Sequence, residues 1–84
     1  MDEIVVEFKP SAFKHSYTEQ DIRHALKNKA YDAPLTDFPD KYGVVGFDTK
    51  WNLIEVLYNP IDDNTINVFH ARKLQKDFLV KLDL

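Results

Sequence analysis

Tyr42-Gly43-Val44-Val45-Gly46-Phe47, Asp48-Thr49-Lys50-Trp51-Asn52 and Leu53-Ile54-Glu55-Val56-Leu57-Tyr58 follow one another without a break, and this stretch decides the fold. The outer runs are rich in Val, Ile, Leu and aromatic residues and read as strands. The polar segment between them is short enough for a hairpin, so the two strands pair antiparallel. Downstream, Asn59-Pro60-Ile61-Asp62-Asp63-Asn64 reads as a second turn and Thr65 to Ala71 as the last strand. From Lys73 onward Leu74, Phe78 and Leu82 recur every four residues, the spacing of a C-terminal helix.

Upstream, Pro39 and Asp40 belong to a loop, and Tyr31 to Leu35 is a strand that Pro34 confines to a sheet edge. Thr18-Glu19-Gln20-Asp21 is an acidic variant of the capping box, in which the Thr hydroxyl accepts the Asp21 amide. Tyr17 and Ile22 occupy the positions of a hydrophobic staple. Ile22, Ala25 and Leu26 give the apolar stripe of an amphipathic helix that Asn28 closes. Ile4, Val5, Val6 and Phe8 form a first strand. Pro10, which has no amide to give a ladder, ends it, and a short helical turn covers Ser11 to Lys14. The expectation is one α+β domain over residues 1–84. It has an antiparallel sheet of three to five strands, a helix in the N-terminal half and a C-terminal helix, with both helices on one face.

With 84 residues and 44% apolar side chains, the chain can fill one modest core. It has no cysteine and no apolar run near the roughly 20 residues of a membrane span, and Asp2 and Glu3 stand where a signal peptide carries basic residues. These features predict a cytoplasmic protein without membrane association. The net charge of −3 argues against a surface that binds nucleic acid everywhere. Arg72, Lys73, Lys76 and Lys81 nevertheless form a local basic stretch opposed only by Asp77 and Asp83. It suits a phosphate site and equally suits an ordinary helix surface.

His15, His24 and His70 match no zinc spacing, and Asp62-Asp63-Asn64 lacks the spacing and glycine of an EF-hand loop, so no metal or cofactor is expected. No Gly-rich phosphate loop, Gly-x-Ser-x-Gly motif or thiol nucleophile occurs. The remaining chemistry lies at the end of the last strand, Val68-Phe69-His70-Ala71-Arg72-Lys73. Strict alternation would put His70 on one face with Ile66, Val68 and Arg72. Glu55 interrupts an apolar strand, and a buried carboxylate there needs a partner, which His70 or Arg72 can supply. Such a pair reads as an ion pair that holds two strands in register. It also reads as a site for metal-free RNA cleavage, with Glu55 as base, Arg72 and Lys73 as cations for the phosphate and His70 as acid.

The stretches Lys41-Tyr42-Gly43-Val44-Val45-Gly46-Phe47-Asp48, Asn52-Leu53-Ile54-Glu55-Val56 and Ile66-Asn67-Val68-Phe69-His70-Ala71-Arg72-Lys73 resemble, in that order, the BrnT-like toxins of bacterial toxin–antitoxin systems. Phe13-Lys14-His15, followed by Thr18-Glu19-Gln20-Asp21-Ile22, resembles that family's Lys-His-Gly turn and the helix after it, with Ser16 in place of the glycine. The resemblance implies a RelE-like fold and a metal-independent ribonuclease that arrests growth by cutting RNA. It also implies a DNA-binding antitoxin as partner, with any homo-oligomer built through that complex. Glu55, His70 and Arg72 would be catalytic, and Lys14, His15, Lys73 and Lys76 would bind RNA. The alternative is an interaction module that keeps the toxin fold without cutting.

Overall fold

The computed structural model describes residues 4–82. The elements are β1 (Val5–Phe8), a 3-10 turn (Pro10–Phe13), α1 (Glu19–Lys27), β2 (Lys29–Pro34), β3 (Tyr42–Phe47), β4 (Leu53–Asp62), β5 (Thr65–Lys73) and α2 (Lys76–Lys81). The five strands form one sheet in the order β1-β5-β4-β3-β2. No helix of the described residues is long and apolar enough to cross a membrane. Asp2, Glu3 and Asp83 lie outside the described residues.

The local signals around α1 act as expected. The Thr18 hydroxyl accepts the Asp21 amide, and the Asp21 carboxylate accepts the Thr18 amide in return. Asn28 caps the other end, its amide donating to the His24 carbonyl. β2 is an edge strand, as Pro34 requires, and it leaves the helix directly from Asn28.

Three expectations are corrected. The sheet is mixed, because β1 pairs parallel with β5, Val5 opposite Thr65 and Phe8 opposite Val68. Short connections dictate antiparallel pairing only between consecutive strands, and α1 and three strands separate these two. The second turn is also shorter than expected. β4 runs on through Asn59, Pro60 and Asp62, paired with Asn67, Ile66 and Thr65, which leaves Asp63 and Asn64 as the turn. Register shifts on either side of this stretch accommodate Pro60.

The third correction concerns the helices, which lie on opposite faces. Ala25 of α1 packs against Gly46 so closely that a Cβ there would collide with the Ala25 carbonyl. Val44, Ile54, Val56, Val68 and Ala71 join Ile22 and Ala25 in this larger core. Phe78 of α2 and Leu82 at its C-cap sit instead over Gly43, with Val45 and Leu35 in a second core. Both Val44 and Val45 are buried, so β3 is covered on both sides, and its unbroken apolar run is the sequence mark of that. α2 is only six residues long. It covers the end of its face near β3 and leaves the β4–β5 side partly open.

Candidate active site on the open face

A β-bulge builds the site. Tyr58 pairs with Val68 but Leu57 pairs with His70, so Phe69 is the extra residue and the alternation of β5 resets there. Val68 and Ala71 therefore both reach the larger core, and His70 and Arg72 turn to the opposite face beside Leu57 and Glu55. This corrects the expectation that His70 shares a face with Ile66 and Val68. Strict alternation would send Val68 and Ala71, three positions apart, to opposite faces, and only the bulge lets both enter one core.

Glu55 is 5% exposed and both of its oxygens are engaged. Oε2 lies 2.9 Å from His70 Nε2, and Oε1 accepts the Gln75 amide at 2.9 Å where the chain enters α2. Arg72 is the strand partner of Glu55, yet among the described residues its guanidinium makes no ion pair. The carboxylate is taken by His70 and the backbone, which leaves a cation free to meet an anion.

His15 arrives from the other end of the chain. Beyond β1 the backbone follows the outer edge of β5, the Lys9 amide donating to the Val68 carbonyl and the Ser11 hydroxyl to the Phe69 carbonyl. The next turn holds Ser16 at φ 70°, in the left-handed region where the resembled family carries glycine. This brings the His15 ring edge-on to His70, with centroids 5.8 Å apart. Partial burial, then Arg72, His70 and Lys14, lower the His15 pKa, and Glu55 only partly counteracts them.

The residues predicted as a site divide in two. Glu55, His70, Arg72 and His15 come together, with Lys14 at the margin. Lys73 is paired with the core residue Ile54, so its side chain alternates away from Arg72. Lys76 is exposed on the first turn of α2. Among the described residues no three His, Asp or Glu side chains converge as a metal centre requires. The Gln75 amide carries no side-chain signature, and sequence reasoning missed it. No family model, curated protein or solved structure matches the chain.

Proposed function

We propose that this protein is a metal-independent endoribonuclease, and that it serves as the toxin of a toxin–antitoxin pair as its likeness to the BrnT-like toxins implies. One observation supports the activity above all: two imidazoles edge to face at 5.8 Å, beside a guanidinium that pairs with no carboxylate among the described residues. Metal-free RNA cleavage needs a base, an acid and a cation at one phosphate.

His15, whose neutral form is favoured, takes the proton of the 2′-hydroxyl. The 2′-oxygen bonds to the adjacent phosphorus as the bond to the 5′-oxygen breaks, and a 2′,3′-cyclic phosphate results. His70 gives a proton to the departing 5′-oxygen from Nδ1, while Nε2 stays against Glu55. Glu55 is thus a positioning residue rather than the base, since neither oxygen is free. Arg72 faces the charge that develops on the phosphate.

Purified protein should cut single-stranded RNA in the presence of a chelator and leave cyclic phosphate ends. Arg72→Ala should slow cutting about a hundredfold or more with an unchanged melting temperature. His15→Ala and His70→Ala should each cost roughly 10²–10⁴-fold. A stable Arg72→Ala protein that cuts like wild type removes Arg72 from the mechanism. The toxin role predicts growth arrest on induced expression. It also predicts an antitoxin segment that covers Arg72, so Arg72→Glu should weaken that complex.

The Glu55–Gln75 hydrogen bond favours a second reading, because it fastens α2 to the sheet without any chemistry. If wild-type protein never cuts RNA, the cluster is such a fastening and the protein an interaction module.

A further inference from the structure

A half-open cavity of about 200 Å³ adjoins the cluster on the same face of the sheet. Leu57, the strand partner of His70, and the buried Leu35 contribute to its lining. Phe69, the bulged residue before His70, stands on one side and Phe38 on the other. Lys41 and Lys81 bring two positive charges to it. The Lys41 ammonium lies 5.1 Å from the centre of the Phe38 ring and 5.7 Å from that of Phe69, so both rings address one point. Phe38 is 54% exposed, so its ring is accessible to a ligand in the cavity.

We infer that this cavity is a subsite for one unstacked nucleobase of single-stranded RNA, set beside the His15–His70 centre. The inference rests on the ribonuclease reading for its choice of ligand, and it deepens that reading by naming the form of RNA. The volume falls below the roughly 300–1,000 Å³ of pockets for drug-sized ligands and suits a single planar ring system. Aromatic faces with flanking cations are what single-stranded nucleic acid requires, since bases stack on the rings and phosphates meet the ammonium groups. The base takes the place that Lys41 now holds on the rings, and its flexible stem carries the ammonium to a neighbouring phosphate. Phe69 and His70 are consecutive, so a base held at Phe69 lays its own backbone across the two imidazoles.

Asp37 is the acidic residue among those that line the cavity. An ionised carboxylate only accepts hydrogen bonds, so it favours a base edge with donors. Guanine offers N1–H and N2–H2 side by side, whereas uracil offers one N–H between two carbonyls. Guanine is therefore the favoured occupant.

The test separates binding from cutting. Short fluorescein-labelled oligonucleotides in 2′-O-methyl form lack the attacking hydroxyl, and their binding is followed by anisotropy at low salt. A guanine oligomer should bind wild type better than a uracil oligomer, and Asp37→Ala should erase the difference. Phe38→Ala, at an exposed position, should weaken binding about five- to a hundredfold. Lys41→Gln should weaken binding and lower the salt slope by about one. A duplex, with its bases stacked, should bind less well than either strand. The subsite is overturned if Phe38→Ala and Lys41→Gln both bind like wild type, or if wild type binds no RNA, which would leave the cavity to a protein partner. Equal affinity for guanine and uracil overturns the role of Asp37. If His15→Ala and His70→Ala still cut natural RNA while Phe38→Ala loses binding, the catalytic reading fails and the base subsite stands. The reverse pattern sinks the subsite alone.

Discussion

Ser16 carries a backbone conformation that its side chain opposes. At φ 70° a residue with a Cβ costs roughly 1–2 kcal/mol relative to the right-handed regions. Glycine would remove that cost but lose more freedom on folding, a penalty of about 0.5–1 kcal/mol. Ser16→Gly should therefore stabilise the protein by about 0.5–1 kcal/mol in denaturant titration, and Ser16→Val should destabilise it. A destabilised glycine variant would mean that the Ser16 side chain contributes something the backbone does not reveal. The same turn aims His15, whose pKa is lowered from 6.5 by partial burial and then by Arg72. A base works when deprotonated, so the acid limb of the pH profile should fall through a value below 6.5. An ascending limb of kcat/KM above that value would remove His15 as the base. At this scale the sequence was partly legible. Ser16 stood out against the glycine of the resembled motif, and Glu55 against its apolar neighbours. The bulge at Phe69 left no clear mark, because a sheet covered on both faces can bury Val68 and Ala71 with or without one.

Among the elements, α2 was readable from Leu74, Phe78 and Leu82, although it starts only at Lys76 because β5 keeps its pairing through Lys73. Its anchor is Phe78, 1% exposed over Gly43. Phe78→Ala should cost about 3–5 kcal/mol, and a loss below about 1 kcal/mol would mean that the helix docks by other means. The two glycines of β3 should respond differently to a single methyl group. A Cβ on Gly46 meets the Ala25 backbone, which cannot yield without moving α1, whereas a Cβ on Gly43 lies 2.6 Å from the flexible end of Leu82. Gly46→Ala should thus cost about 3 kcal/mol or more and Gly43→Ala clearly less, measured side by side. The placement of helices on both faces was available in the Val44-Val45 pair, since a strand covered on one side alone would alternate.

For the whole molecule, Asp21 links the start of α1 to the β3–β4 hairpin. Its carboxylate accepts the Thr49 hydroxyl at 2.6 Å as well as the Thr49 and Thr18 amides. The Thr49 hydrogen bond, more than the others, lowers the pKa from 3.8 to about 2. A carboxylate with a depressed folded pKa stabilises the native state above its unfolded value, and that stability is lost as pH falls from about 4 towards 2. Thr49→Ala should make acid unfolding between those values shallower, as followed by circular dichroism. An unchanged acid transition would show that Asp21 does not govern it.

The mixed sheet was the least legible feature, because pairing between distant strands leaves no local trace. β1 lies beside a strand that begins at Thr65. On a ribosome that adds roughly 5–20 residues per second, β1 waits about 3–12 seconds for the segment that will hold it. The segment that carries His15 is held along the edge of β5, so its approach to His70 must wait for that strand. Under the proposed function, a nascent chain is therefore inert until its final strand has emerged. Under that reading, synthesis itself delays the onset of activity, ahead of any regulation by a partner.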